Sequence, residues 1–389
     1  MERNEQAHLD ILDGLRGIAI LLVFWFHVWQ ISWLAPIVRL GPLAVDLSAL
    51  VRTGFLGVDL FFFLSGFCLF YPYAQARFDG RRRPTLAHFA YRRAIKILPS
   101  YCISVAGAFA LGYAQINFSQ HGLSLLRMHA LFFLPSFPSE LATVNGVLWS
   151  LGVEVQFYLL FPAIAWCIGR QPIITTLCAI LLASADRMYI VHLNLPAPYL
   201  LMEQLPASID LFVSGMFAAY LFRFLDTRCE RRAWMRWTWT MLAFCGIAAY
   251  VATASTIFAA TERNWPYSSL AVAIPFLDAS FIAVTLGSLF GLSAWRRALA
   301  NPLLIFLAYI SYNLYLWHQM IAFEMFHHGV PAWHGADAHA DVAWQNGFML
   351  SACLAAIAVA TILTYGMERP LLRLKLRAEQ DGRRDREAR

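Results

Sequence analysis

A chain of 389 residues in which 59% are apolar and only 14% charged is too apolar for a soluble globular domain, where about a quarter of residues carry charge. The mean hydropathy of +0.55 agrees. The formal charge of +6 comes with no helix-turn-helix, zinc finger or interleaved aromatic and basic residues. Nucleic acid is therefore excluded as a partner, and the excess is assigned to membrane topology and to anionic lipid.

Windows of about 20 apolar residues predict ten spans, near 17–35, 54–73, 95–115, 147–168, 173–193, 207–225, 238–259, 267–292, 303–325 and 346–367. The expected fold is all-α, a polytopic integral membrane protein with both termini cytoplasmic. With ten spans, the clusters Arg77/Arg81/Arg82/Arg83/Arg92/Arg93, Arg228/Arg231/Arg232/Arg236 and Arg296/Arg297, and the tail from Arg369, all fall on one face, as basic residues do on the cytoplasmic side. The first span is too long for a cleaved leader and is expected to be retained. A transmembrane domain over 1–372 and a basic cytoplasmic tail over 373–389 are expected, with the chemistry confined to the membrane domain. The seven cysteines form no CxxC pair and read as small apolar packers, with no metal predicted.

Taken in chain order, the first span carries Arg16 and His27, eleven residues apart. That spacing is about 20° past three full turns, so both side chains share a stripe, separated by about 16 Å. Arg16 is expected at the membrane edge and His27 near the midplane. Ionisable groups are costly in lipid, so function is the first hypothesis for each. The second span brings Asp59, Ser65 and Gly66, the last two suited to close helix packing. Before the third span lie Arg92, Arg93 and Lys96. The fourth holds Trp149 as an interfacial anchor, and Glu154 and Tyr158 four apart on one face. Glu154 and His27 are expected at matching depth, as an orienter and base. Asp186–Arg187 is expected to neutralise itself at a span end, while Asp278 has no explanation from its neighbours. The ninth span has Tyr312, Asn313, Tyr315 and His318 on a polar side. Segment 116–146 suggests an interfacial or re-entrant piece. The loop with His327, His328, His334, His339, Asp337 and Asp341 reads as solvated in preference to a metal site.

Together, the Arg16-to-His27 helix, the Phe61–Phe62–Phe63–Leu64–Ser65–Gly66–Phe67 stretch, Trp149 through Tyr158, Tyr312 through His318, and Glu368–Arg369–Pro370 resemble the acyltransferase-3 family of integral membrane O-acyltransferases. The resemblance runs from about residue 8 to 372. It implies acyl-CoA, most often acetyl-CoA, as cytosolic donor. The acceptor would be a hydroxyl of a glycan, lipid-linked saccharide or small molecule, and the location a bacterial inner membrane. By position it implies His27 as the essential histidine, Glu154 as its support, and Arg16 with Arg92, Arg93 and Lys96 for the CoA phosphates. The family's usual Arg-x-x-Arg is here Arg93 and Lys96, which keeps the charge but loses one bidentate fork. Some members carry an extra esterase-like domain, and the absence of one in this sequence leads us to expect direct transfer.

The sequence thus predicts an O-acyltransferase with His27, Glu154 and Asp59 in catalysis, Arg16, Arg92, Arg93 and Lys96 at the donor, and Tyr158, Asn313 and His318 near the acceptor. The alternative is a polytopic transporter of a sugar or lipid-linked solute, for which Asp210, Asp278 and His318 would serve. It is disfavoured because no inverted repeat is visible.

Overall fold

A computed structural model describes residues 2–34, 37–40, 43–112, 145–195, 198–228, 233–262, 266–333 and 337–372. Most of 116–146, Arg231, Arg232, His334 and the tail 373–389 lie outside the described residues. The helices in chain order are α1 (Glu2–Ser32), α2 (Ser48–Arg52), α3 (Leu56–Phe78), α4 (Leu86–Ala110), α5 (Leu148–Arg170), α6 (Pro172–His192), α7 (Tyr199–Met202), α8 (Leu205–Arg228), α9 (Ala233–Glu262), α10 (Pro266–Phe290), α11 (Ser293–Leu299), α12 (Pro302–His327) and α13 (Val342–Leu363). A two-stranded antiparallel ladder, β1 (Ile37–Leu40) with β2 (Leu43–Asp46), pairs Val38 with Val45 after α1. The protein is an all-α polytopic membrane protein.

Among the described residues, eight helices are long and apolar enough to cross a membrane, or nine when α11 and α12, bent by 41°, count as one span. The sequence led us to expect ten. The difference is the third, which does form a continuous helix, α4. Its first half carries Arg92, Arg93 and Lys96, so its apolar stretch is short.

The chain divides into two compact units. The first comprises 1–30, 35–84 and 149–308, and the second 31–34, 85–148 and 309–389. In the first unit α8 is enclosed, with Leu211, Phe212, Met216, Ala218, Ala219 and Phe222 at 0% exposure. Around it α6 and α9 turn Leu177, Leu181, Trp237 and Phe244 outward, the side chains of helices that meet lipid. The seam between α3 and α8 is set by two glycines. A Cβ on Gly66 would lie 2.0 Å from the Phe212 carbonyl oxygen, and one on Gly215 would lie 1.9 Å from that of Phe63. Such small-residue contacts let backbones approach where no hydrophobic effect drives helix association. Because the obstacle is backbone on both sides, Gly215→Ala should part the helices and lower the thermal midpoint in detergent, with an overpacking cost of about 1–3 kcal/mol or more. Gly152→Ala in α5, where a Cβ meets nothing within 4 Å, should leave the midpoint unchanged or raised. Equal behaviour of the two variants would remove the seam's role.

In the second unit, Thr85 caps α4 by accepting from the His88 N–H at 3.3 Å, and Asp341 caps α13 through the N–H groups of Ala343 and Trp344. Caps of this kind satisfy the orphan donors of a first turn. Asp337 accepts from the backbone and ring N–H of His339, which holds its carboxyl below the usual range. His339 also stacks on Trp33 at 4.2 Å and bonds the Ile31 carbonyl. Among the described residues, no group of three His, Cys, Asp or Glu is arranged to hold a metal.

Candidate active site

The polar stripe of α1 is placed differently from expectation. The membrane-competent stretch is His8–Ser32, because the helix begins at Glu2 and His8 is already packed edge-on against Phe222 at 5.0 Å. Arg16 therefore lies about 12 Å inside one end of the span, and His27 about 7.5 Å from the other. Arg16 donates to Asp13 Oδ1 at 3.1 Å and to Cys68 Sγ on α3 at 3.6 Å. Within electrostatic reach of the same guanidinium is Glu154 on α5. Glu154 Oε1 accepts from the Ser65 hydroxyl at 3.0 Å and from Tyr158 OH. Three helices thus converge on one polar knot of Arg16, Cys68, Ser65, Glu154 and Tyr158, with Glu154 and Tyr158 one turn apart as their spacing requires.

His27 is not at that depth. Its neighbour Phe26 packs edge-on against Phe55, at the start of α3, with centroids 5.5 Å apart. Ser65, which donates to Glu154, lies ten residues further along the chain, about 15 Å down the helix. The expected depth match assumed that α5 begins at the interface with Trp149 as anchor. Instead Trp149 packs edge-on against Phe62, inside α3. The His27 Nδ1 lies 2.9 Å from the Val23 carbonyl. A carbonyl only accepts, so Nδ1 donates, and the neutral ring carries its lone pair on Nε2.

Asp59 belongs to a second group. It lies in the electrostatic field of Arg187 and Asp210 and itself acts on Tyr250. Arg187 makes a bidentate pair with Asp210, 2.7 Å for Nη2–Oδ2 and 3.1 Å for Nη1–Oδ1, and donates to the Ala207 carbonyl and to Ser184. Both side chains are buried, at 1% and 0% exposure. The partner of Arg187 is therefore Asp210 on α8, not the adjacent Asp186 alone. Asp278 on α10 is within reach of Asp210, Arg187 and Asp59. Three carboxyl groups from three helices thus share the field of one guanidinium, which pairs directly with Asp210.

In the second unit the buried Asn313 donates to Thr364 Oγ1 at 2.9 Å and to Glu368 Oε2 at 2.8 Å. Thr364–Glu368 is a π-helical turn, a device that re-aims side chains and often marks functional positions. Lys96 acts electrostatically on Glu368. Arg92 and Lys96 are exposed and four apart on α4, with Arg93 half-buried between them. His318 is fully buried, its Nδ1 at 2.8 Å from the Tyr315 carbonyl. Asn313 and His318 are thus tied to their own and neighbouring helices.

At the other end of α3 and α5 lies a feature the sequence reading passed over. A cavity of about 470 Å³ is lined by Tyr73, Arg77, Arg83, Trp166 and Arg170 among others. Arg77 and Arg83 were read for topology alone, and Arg170 was not singled out. The signal that could have found the cavity is the pairing of Trp166 with Arg170, four residues apart at a helix end.

The acyltransferase-domain family model matches residues 9–365. The chain belongs to the acyltransferase-3 family. Among similar proteins is "Putative O-acetyltransferase SACOL0978" of Staphylococcus aureus strain COL, 24% identical over 335 residues, which are 81% of this chain and 51% of that protein. Another is O-acetyltransferase OatA of Staphylococcus aureus strain NCTC 8325, 24% identical over 331 residues, 81% of this chain and 50% of that protein. The chain spans about half the length of these curated relatives. No solved structure matches it. Within this acyltransferase-3 chain, the matched region contains the polar knot, His27, Asn313 and Thr364, and Glu368 lies three residues beyond it.

Proposed function

We propose that this acyltransferase-3 protein is an O-acyltransferase of a bacterial inner membrane. It would move an acyl group, acetyl in the simplest case, from cytosolic acyl-CoA to a hydroxyl of a cell-envelope or exported glycan. The observation that carries the reading is the polar knot, in which Glu154 gathers two hydroxyl donors and faces Arg16 in the membrane interior. Groups this costly in lipid are kept where they act.

In this reading acyl-CoA enters from the face rich in arginine, Arg16 with the hydroxyls of Ser65 and Tyr158 holds the arm of the donor, and the thioester at the end of that arm extends to His27. The acceptor oxygen bonds the thioester carbonyl carbon, the carbon–sulfur bond breaks, and the hydroxyl proton passes through His27 Nε2 to the departing thiolate. The tautomer fixed by the Val23 carbonyl suits that nitrogen to act as base. The separation of about 15 Å between His27 and Glu154 makes Glu154 a positioning residue for Arg16 and the donor, in place of an orienter for His27. Arg92, Arg93 and Lys96 add a basic surface on α4, and Asn313 and His318 remain candidates for holding the acceptor.

Protein purified into nanodiscs, supplied with labelled acetyl-CoA, should release CoA. Mass spectrometry of envelope glycans from cells with and without the protein should reveal the acylated sugar. No thioester cleavage and no glycan difference would overturn the reading. Glu154→Gln keeps an acceptor for Ser65 and Tyr158 but removes the charge facing Arg16. It should lower turnover about 10- to 100-fold, the worth of one charge-assisted hydrogen bond. Tyr158→Phe removes a single donor and should cost less. A Glu154→Gln enzyme with unchanged kcat and KM would remove Glu154 from the site.

A further inference from the structure

The cavity at the arginine-rich ends of α3 and α5 has the chemistry of an anion site. Arg77 and Tyr73 come from the last turns of α3, Arg83 from the segment after it, and Trp166 and Arg170 from the last turns of α5. The Arg170 guanidinium lies 3.7 Å above the Trp166 ring, and Arg77 lies 5.9 Å from the Tyr220 ring centre. Arg83 acts electrostatically on Tyr73. Among the described residues none of the three arginines meets a carboxylate. The contrast is close by: Arg223, near the same end of α8, is clamped by Asp79 and Asp226. Acidic residues are therefore at hand on this side of the unit, and among the described residues none lines the cavity.

A cavity of about 470 Å³ is within the range of small-molecule sites. Three unneutralised guanidinium groups favour phosphate, which they bind through two parallel N–H donors. The exposed Trp166 ring offers a face to a planar base. The site also connects to the knot. From Tyr73 a ladder of rings runs through Phe161, Phe157, Phe212 and Phe62 to Trp149. Along α3 and α5 the distance from Tyr73 to Ser65, and from Pro162 to Glu154, is eight residues, about 12 Å. A ligand with its phosphates in the cavity can therefore lay an extended arm toward Glu154.

We propose that the cavity formed by Tyr73, Arg77, Arg83, Trp166 and Arg170 binds the phosphate-bearing end of a ligand. Resting on the donor reading above, we take that ligand to be the nucleotide end of acyl-CoA. An anionic phospholipid carries the same phosphate chemistry, and the test separates the two sources. Arg83 and Arg170 are exposed, so Arg83→Gln and Arg170→Gln break no buried pair and should fold. Arg82→Gln, in the same segment but outside the cavity, controls for a general loss of charge.

Binding of CoA, 3′-dephospho-CoA and pantetheine is measured by calorimetry in nanodiscs of neutral lipid, and retained anionic phospholipid by mass spectrometry. The Arg83→Gln/Arg170→Gln protein should bind CoA about 10- to 100-fold more weakly, with pantetheine and the Arg82→Gln control unchanged. If CoA affinity holds but retained anionic lipid falls, the phosphate belongs to lipid and the assignment to the donor is overturned. If neither changes, the site itself is overturned. Failure of the wild-type protein to bind CoA at all would defeat the donor reading separately, leaving the lipid measurement to decide the cavity.

Discussion

His27→Ala is expected to abolish acyl transfer while leaving folded protein in the membrane, with a loss of about 10²- to 10⁴-fold, the usual worth of a general base. The histidine is half-buried near the C-terminal end of α1, and its ring is oriented by a bond to its own helix at Val23. Removing it therefore leaves no buried charge unpaired. CoA binding should be unaffected, because the donor-side groups lie about three turns away. The decisive comparison is of kcat with CoA affinity in one preparation. A monodisperse His27→Ala protein with near-normal turnover would make the imidazole structural. His27→Gln should be no better than alanine, since an amide has no basic nitrogen with which to move a proton.

Arg187→Met is expected to produce the largest loss of stability. The Arg187–Asp210 pair is buried on both sides, and Asp59 and Asp278 lie within electrostatic reach of the same guanidinium. Deleting the one cation leaves three carboxyl groups together in an apolar interior. Breaking a buried pair by removing one partner typically costs about 3–5 kcal/mol, a large share of the roughly 5–15 kcal/mol that holds a domain folded. Folded protein recovered in detergent should fall several-fold, with a lower unfolding midpoint. Arg187→Met with Asp210→Leu should recover part of that loss, because replacing both partners by apolar groups is often near neutral. If the single variant keeps the wild-type midpoint, or the double is worse than the single, the cluster is not a stabilising ion pair.

The helices themselves were plain in the sequence, because a membrane span is written locally as a run of apolar residues. Arg16 and His27 on one stripe, and Glu154 one turn from Tyr158, follow from helical spacing alone, and the structure keeps both relations. What depends on how far one helix slides past another was not legible. The depth match of Glu154 with His27 failed because α5 starts deeper than the interface, beside Phe62. Asp59 was set beside His27 because its true company, Arg187 and Asp210, is more than a hundred residues away. Arg77 and Arg83 were absorbed by the topology argument, which explains arginines by their side of the membrane and says nothing of the cavity they line with Arg170.

The glycine seam and the ion-pair cluster also set an order of events in biogenesis. Gly66 and Asp59 on α3 leave the ribosome well before their partners on α8 and α6, since Gly215 follows Gly66 by 149 residues and Arg187 follows Asp59 by 128. At about 5–20 residues per second that interval is roughly 7–30 s. Throughout it, α3 resides in or beside the translocon with a bare backbone notch unmatched, and for most of it Asp59 also waits for Arg187 on α6. The first helices of this protein must therefore be held in a protected, unassembled state until α8 arrives. A nascent chain stalled before α8 should remain accessible to membrane quality control, and a chain stalled just after it should not.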